Sequence, residues 1–404
     1  MGTITSQFTF GNVGLLPQEE KLELQTEKKR LTIGLPSETD ENESRIALTP
    51  QAVEILVKNK YTIIVESGAG KRANYTDMMY SEAGAIITET KAEAYQCDIL
   101  LKVAPFNPDE IALVKPRQTI ISSFIVNEQG EESIKGLIQK KVNAVGFEYM
   151  KELNGNYPVV RSLCEIAGNI SIMVAAEYLS TANSGKGVLL GGVTGISPTE
   201  VVILGANTAG EFATRTALGM GATVKIFDDY LHRLTELQQH LGQRIFTSNF
   251  HPKVLKKALS SAEIVIGAIQ LVEQDNAFFV TEDLVKAMKP GSIIIDLSID
   301  QGGCFETSRC TTHKKPIYKK HGVIHYCVPN ITSRVARTSS IALSNIFLPI
   351  LLRMGEVGGF SSYLKHDFTT RQGVYLYNGI LTNSYISKYF NIPYKNIDLL
   401  MAAF

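Results

Sequence analysis

GVLLGGVTGISPTEVVILGANTAGEFATRTALGMGATVKIFDD, residues Gly187 to Asp229, decides the fold of this chain. It reads as an apolar strand from Val201 to Leu204, a glycine turn, a helix of small residues, and a second strand ending in acid. That is the front half of a βαβ unit shaped for a dinucleotide. Gly205 permits the tight turn out of the strand, and Gly210 lets the helix run close to the sheet. The helix N-terminus between them offers backbone N–H groups and a positive dipole end to a pyrophosphate. Asp228, about 20 residues on, can accept hydrogen bonds from both ribose hydroxyls. An acid there repels a 2′-phosphate, so NAD(H) is expected in place of NADP(H). The second glycine of the fingerprint is replaced by Asn207. Asn tolerates left-handed φ better than other non-glycine residues, so the turn is expected to survive, at a cost in affinity.

Length and composition frame this unit. The 404 residues allow two or three domains, and 44% are hydrophobic with a formal net charge of +0. No lysine–arginine run stands out, which argues against a nucleic-acid partner. Five scattered cysteines, Cys97, Cys164, Cys304, Cys310 and Cys327, show no C-x-x-C spacing. That argues against a zinc site and a disulfide framework, so no metal is expected and a reducing cytoplasm fits. The start lacks the basic-then-apolar pattern of a signal peptide. No apolar run reaches the roughly 18 residues of a membrane span. The longest, Ile341 to Leu352, is interrupted by Ser344, Asn345 and Pro349.

Around the dinucleotide unit, short strands alternate with helices. LTIGL from Leu31 is followed by TPQAVEILVKNK, TIIVES, CDILLKVA, TIISSFIV and VNAVGFEY, then by the long helical stretch CEIAGNISIMVAAEYLS. After Asp228 come further helices and the strands RIFTS, EIVIGAI, SIIIDLS and VIHYCVP. Alternation of this kind predicts an α/β protein of two Rossmann-like, doubly wound domains with an interdomain cleft. The expected division is a polar extension over 1–30, a substrate domain from 31–160 plus 338–404, and a nucleotide domain over 161–337. Helices near 165–180 and 338–356 are expected to bridge the two, and the chain to end in short helices.

Five segments carry a resemblance. They are GLPSETDENESRIALTP (Gly34 to Pro50), CEIAGN (Cys164 to Asn169), GKGVLLGGVTGISPTEVVILGA (Gly185 to Ala206), IDLSIDQGGCFETSR (Ile295 to Arg309) and HYCVPNI (His325 to Ile331). Together they resemble the alanine dehydrogenases, which share a fold with the soluble NAD(H)-binding domain of proton-pumping transhydrogenases. The Asp300–Gln301 pairing points to the dehydrogenase branch. The resemblance implies an NAD-dependent enzyme, commonly a hexamer, acting on a small amino or oxo acid without a membrane partner. It implies that Arg45 clamps the substrate carboxylate, a task suited to a guanidinium fork. Asp300 then lies beside the nicotinamide, with Asn330 in the matching loop. Thr208 and Ala209 line the pyrophosphate, and Asp228 and Arg233 frame the adenosine ribose. Leu297, Ser298, Ile299, Val328 and Ile331 wall the nicotinamide and its ribose. Asp300 also draws on a rule of its own, since ligands of open α/β sheets sit at the carboxyl ends of strands. The plain alternative for Arg45 is a solvated partner of Glu41 or Glu43, and for Cys304 a small packed hydrophobe.

Two members of the family's catalytic set are missing. The substrate lysine falls at Ala104 in KVAPF, and the catalytic histidine at Ile125 in IISSFIVNEQ. Losing groups that polarise the substrate oxygen and move protons costs a factor of about 10² to 10⁴. Three compensations suggest themselves. Lys102 is two residues from position 104 on one strand face. Arg161 is a cation at the head of the helix that approaches the cofactor. His325 lies on the strand leading to Asn330. Cys164 stands where the family has a serine. The expected activity is oxidative deamination of L-alanine to pyruvate and ammonia, and the reverse. A different small amino or oxo acid, or an NAD(H)-binding sensor or partner subunit without chemistry, are the alternatives.

Overall fold

The computed structural model describes residues 30–126, 130–269 and 279–402. All but Arg30 of the expected N-terminal extension lies outside the described residues. Six strands come first: β1 (Thr32–Leu35), β2 (Thr62–Glu66), β3 (Ile86–Thr88), β4 (Ile99–Leu101), β5 (Thr119–Ser122) and β6 (Asn143–Gly146). Seven follow: β7 (Glu200–Leu204), β8 (Thr223–Phe227), β9 (Phe246–Ser248), β10 (Ile264–Gly267), β11 (Ile293–Asp296), β12 (Ile317–Lys320) and β13 (Val323–Tyr326). The chain then returns through β14 (Val374–Tyr377) and β15 (Ile380–Leu381).

The strands form two sheets, ordered β15-β14-β6-β5-β4-β1-β2-β3 and β12-β13-β11-β10-β7-β8-β9. Each contains six parallel strands in the order 3-2-1-4-5-6 of a Rossmann sheet, and each ends in antiparallel edge pairing. These are two Rossmann-like α/β units, as the alternation of elements led us to expect. Their central strands are β-branched and buried on both faces, IIID in β11 and IVIG in β10, because helices cover both sides. Apolar clusters line both faces of each sheet.

The C-terminal region differs from expectation. Where short helices alone were expected, VYLY and IL form a hairpin that extends the first sheet. Asn378 and Gly379, both with positive φ, make its turn, and aromatic and β-branched residues favour the strand. β12, antiparallel to β13, is a further edge strand not among those expected.

The helices Pro158–Leu179 and Ala336–Glu356 connect the units. By length and composition alone, Pro158–Leu179 and the stretch Ile331–Glu356 suffice to cross a membrane, although polar residues interrupt the latter. Those polar residues are used inside the protein. Ser340 and Ser344 accept the backbone N–H groups of Ile46 and Thr49. Leu343, Phe347, Leu351 and Met354 fill the core of the first unit.

The Pro158–Leu179 helix lies against the Thr208–Gly219 helix at Gly168, where an added Cβ would meet the Ala209 carbonyl at 2.3 Å and the Ala213 nitrogen at 2.8 Å. Both obstacles are backbone, so neither can swing away. Gly168→Ala is expected to lower stability by about 1–3 kcal/mol, the usual cost of forced overpacking, as read by urea denaturation.

Candidate active site

At the second sheet's switch point, the chain leaves β7 and β10 in opposite directions. Gly205 turns there with φ +103°, and a Cβ would sit 2.4 Å from the Ala268 carbonyl. Gly210 has no room either, since its Cβ would fall 1.9 Å from the Gly205 oxygen. Asn207 is not left-handed. Its φ is −80°, and it caps the Thr208–Gly219 helix by accepting the Gly210 N–H at 3.1 Å. Its Nδ2 donates to the Ala268 carbonyl at 2.5 Å. The expectation that tolerance of positive φ keeps Asn here is therefore corrected: capping keeps it. Thr208 and Ala209 lead the same first turn.

Asp228 closes the far side. Its carboxylate accepts the backbone N–H groups of Ala206 at 2.7 Å and Tyr230 at 2.8 Å. Arg233 approaches it at 3.9 Å and lies over the Tyr230 ring. A carboxylate offers about four lone-pair directions, so two hydroxyls can still be accepted. This glycine turn, helix N-terminus and ribose acid fit an NAD(H) molecule.

The loops after β11 and β13 form the opposite wall. Leu297 N–H donates to the Gly267 carbonyl, Ser298 Oγ donates to the Ile269 carbonyl, and Ile299 is buried. Asp300 follows in a short 3₁₀ turn, exposed, with its charge acting on Cys164 of the Pro158–Leu179 helix. Burial first, then Asp300, pushes the Cys164 thiol up to about 11. Asp296, which the sequence reading passed over, organises this wall. It accepts Ser298 N–H, Cys304 N–H and Ser308 Oγ–H. An acid ending a buried apolar strand was the available signal. Cys304 is fully buried with its thiol held protonated by burial, a packed small residue.

Arg45 is buried, not solvated. Its Nε and Nη2 form a fork on Glu43 at 2.8 and 2.5 Å, and Nη1 donates to Thr332 Oγ1 at 3.0 Å. Burial works against both charges, but each outweighs that penalty on the other, so the pair stays ionised. Asn330 reaches over from the second unit, donating Nδ2–H to the Asn42 carbonyl at 2.8 Å and toward Glu43 at 3.4 Å. Val328 and Ile331 beside it are buried. His313, also missed in the sequence, bonds Asn330 Oδ1 through Nε2 at 3.1 Å, while its N–H donates to Asn42 Oδ1. The cleft thus brings together Arg45, Glu43, Asn330, Thr332 and His313 from both units.

Two suggested substitutes are engaged elsewhere. Lys102 is sealed, with Nζ donating to Glu110 at 2.7 Å and the Pro105 carbonyl at 3.1 Å, and Glu38 at 3.5 Å. Three acceptors saturate the ammonium, which corrects the suggestion of catalysis to a structural ion. His325 is fixed in the sheet: Nδ1 donates to the Val323 carbonyl, Nε2 accepts from Thr307, and its ring stacks on Tyr318. Burial pushes it down to about 4, so it stays neutral and holds no proton to give. Arg161 is exposed on its helix and paired with Glu165 at 3.3 Å.

The family models for the alanine dehydrogenase/PNT N-terminal and C-terminal domains match residues 34–167 and 171–384. The chain belongs to the alanine dehydrogenase/PNT family. It is 36% identical over 91% of its length to an alanine dehydrogenase of Staphylococcus saprophyticus, covering 99% of that protein. It is equally similar to alanine dehydrogenase 2 of Staphylococcus aureus. A solved L-alanine dehydrogenase superposes with a TM-score of 0.84 at 32% identity, covering 89% of this chain and 99% of that one. A transhydrogenase from Sinorhizobium meliloti shares the fold, with a TM-score of 0.74 at 23% identity over 88% of this chain and 99% of that one. The family uses NAD.

Where the family histidine would stand, at Ile125, a buried acid lies close by. Glu148 Oε1 accepts the Phe124 N–H at 2.5 Å, and Oε2 has no hydrogen-bond partner among the described residues. Burial pushes this carboxyl up to about 8. The folded chain therefore holds a proton that the unfolded chain releases near 4.5. Its contribution to stability is complete below that value and is lost as pH rises toward 8. Glu148→Gln is expected to flatten the fall in Tm between about pH 5 and pH 8, measured by thermal unfolding across that range.

Proposed function

We propose that this chain catalyses the NAD-dependent oxidative deamination of L-alanine to pyruvate and ammonia, and its reverse. The observation that carries this reading is the buried Arg45, held on Glu43 and reaching Thr332 in the loop that also carries Asn330. Three of the five guanidinium donors serve Glu43 and Thr332, and the remaining two suit a substrate carboxylate. Bound NAD supplies the hydride exchange with the substrate α-carbon. Arg45 fixes the carboxylate, and Asp300 orients the amino or oxo group and relays a proton as water adds and ammonia leaves. Asp228 favours NAD over NADP, because a 2′-phosphate would meet its charge.

The division into a substrate domain (31–160 with 338–404) and a nucleotide domain (161–337), after an extension over 1–30, fits this reading. The cytoplasm is part of the same proposal. A homo-oligomer, a hexamer by resemblance, is supported by the exposed Leu189, Val193 and Ile196, the last two bridged across one tight turn. Ala104 and Ile125 favour a second reading: a different small oxo acid, with Arg161 as an added cation, or NAD(H) binding without turnover.

The decisive assay follows NADH oxidation with ammonium and pyruvate, beside glyoxylate and 2-oxobutyrate. Turnover with pyruvate is expected, and binding of NADH without any turnover would favour the sensor. Arg45→Lys keeps the charge that Glu43 needs but loses the fork, so KM for pyruvate should rise about tenfold or more, or about 1.4 kcal/mol. Asp300→Asn should retain NADH binding while turnover falls by about 10² to 10⁴.

A further inference from the structure

The first sheet has a switch point of its own, between β1 and β4, and Glu38 stands in it. The Glu38 side chain is 7% exposed. Oε1 accepts the Val103 N–H at 2.7 Å, and both oxygens lie 3.3–3.4 Å from the Ala104 N–H. This carboxyl is therefore anchored on the residue that replaces the family's lysine.

The charges around it can be counted element by element. From the end of β4 comes Lys102, and from the Pro108–Leu113 helix comes Glu110. The loop after β1 brings Glu43 and Arg45, whose charges act on Glu38. Two cations thus face two anions, and the balance is zero before Glu38 is counted. Farther out, Lys91 on Glu110 and Glu66 on the Ser37 N–H offset one another. The Tyr95 phenol nearby is held protonated by burial. An ionised Glu38 is then an uncompensated buried anion, and a substrate carboxylate landing on Arg45 would be a second. Two like charges in a low-dielectric site do not both persist when one can take a proton. A lysine at position 104 would supply the missing cation. Here only a methyl group is present.

We propose that Glu38 takes up one proton from solvent when a substrate carboxylate settles on Arg45, and releases it when the carboxylate leaves. Glu38 is a positioning residue in this account. Its protonation returns the charge balance around the clamp to zero, as the missing lysine would. Burial, with Glu43 and Glu110 acting against Lys102, already pushes the carboxyl up to about 7. The inference rests on the reading of Arg45 as the carboxylate clamp.

The test is calorimetric titration of oxamate, a carboxylate the protein cannot reduce, into the full-length chain saturated with NADH. Runs in two buffers of different ionisation enthalpy give the protons taken up. Near one proton per oxamate is expected at about pH 8, with affinity falling about tenfold per pH unit above neutrality. Glu38→Gln, a permanent mimic of the protonated state, should abolish the uptake and flatten affinity from about pH 6 to pH 9. Glu38→Asp should keep the slope. A purely structural role would weaken binding at every pH without changing the slope. Binding without proton uptake in the parent, or uptake that survives in Glu38→Gln and so belongs to another group, overturns the proposal alone. No oxamate binding at any pH overturns the Arg45 reading and the proposal together.

Discussion

Everything at the cleft depends on the buried ion pair of Glu43 and Arg45. Taking both charges out of water is costly, and the attraction at 2.5–2.8 Å offsets it only where other hydrogen bonds satisfy the remaining atoms. Those bonds come from the other unit. Thr332 accepts from Arg45, Ser333 donates to Glu43 and accepts the Ser44 N–H, and Asn330 spans Asn42 and Glu43. The pair is therefore well solvated by protein only when the two units are docked. Docking and the proposed substrate anchor are one arrangement, with the Lys314–Glu41 pair at its rim.

The two sheets repeat one topology, and their switch points do different work. In the second, the crevice stays open to an anion: a glycine turn, a helix N-terminus and an acid at ribose distance in sequence. In the first, the crevice is filled by the chain's own carboxylate. Glu38 occupies the backbone N–H groups of Val103 and Ala104, where a ligand of an open sheet would otherwise sit. One geometry thus yields a crevice that fits a cofactor in one unit and a charged floor beneath the proposed substrate anchor in the other.

How much of this was legible follows from sequence distance. The Gly205–Gly210–Asp228 constellation was readable because turn, helix start and acid lie within one βαβ unit with fixed spacing. The Asn378–Gly379 turn was equally local, and the short hairpin beside it went unread because two- and four-residue strands carry little periodicity. Glu38, Glu148 and His313 were not readable in the same way. Glu38 finds its partners 65 residues away and Glu148 its partner 24 away, so burial and pairing emerge only from the sheet order. Lys102 and His325 show the converse. Their residue types suggested chemistry, and their partners, Glu110 and Glu38 for one, Thr307 and the Val323 carbonyl for the other, fix each in a structural role.

The lost lysine also explains why charge accounting matters more here than residue counting. By the resemblance, Ala104 stands where the family has a lysine, and an alanine there offers neither a donor nor a positive charge. Arg45 retains donors enough for a carboxylate, so geometry alone does not forbid binding. The charge is harder to replace, because Lys102 is already neutralised by Glu110 and Arg45 by Glu43. Arg161 is exposed and screened by water and Glu165, so it contributes little to a buried anion. Among the described residues that face Arg45, Glu38 is the acid whose carboxyl lies closest to neutrality. Removing its negative charge changes the field at Arg45 by as much as adding a cation would, with no change in packing. The replacement for the missing group is therefore sought in a proton.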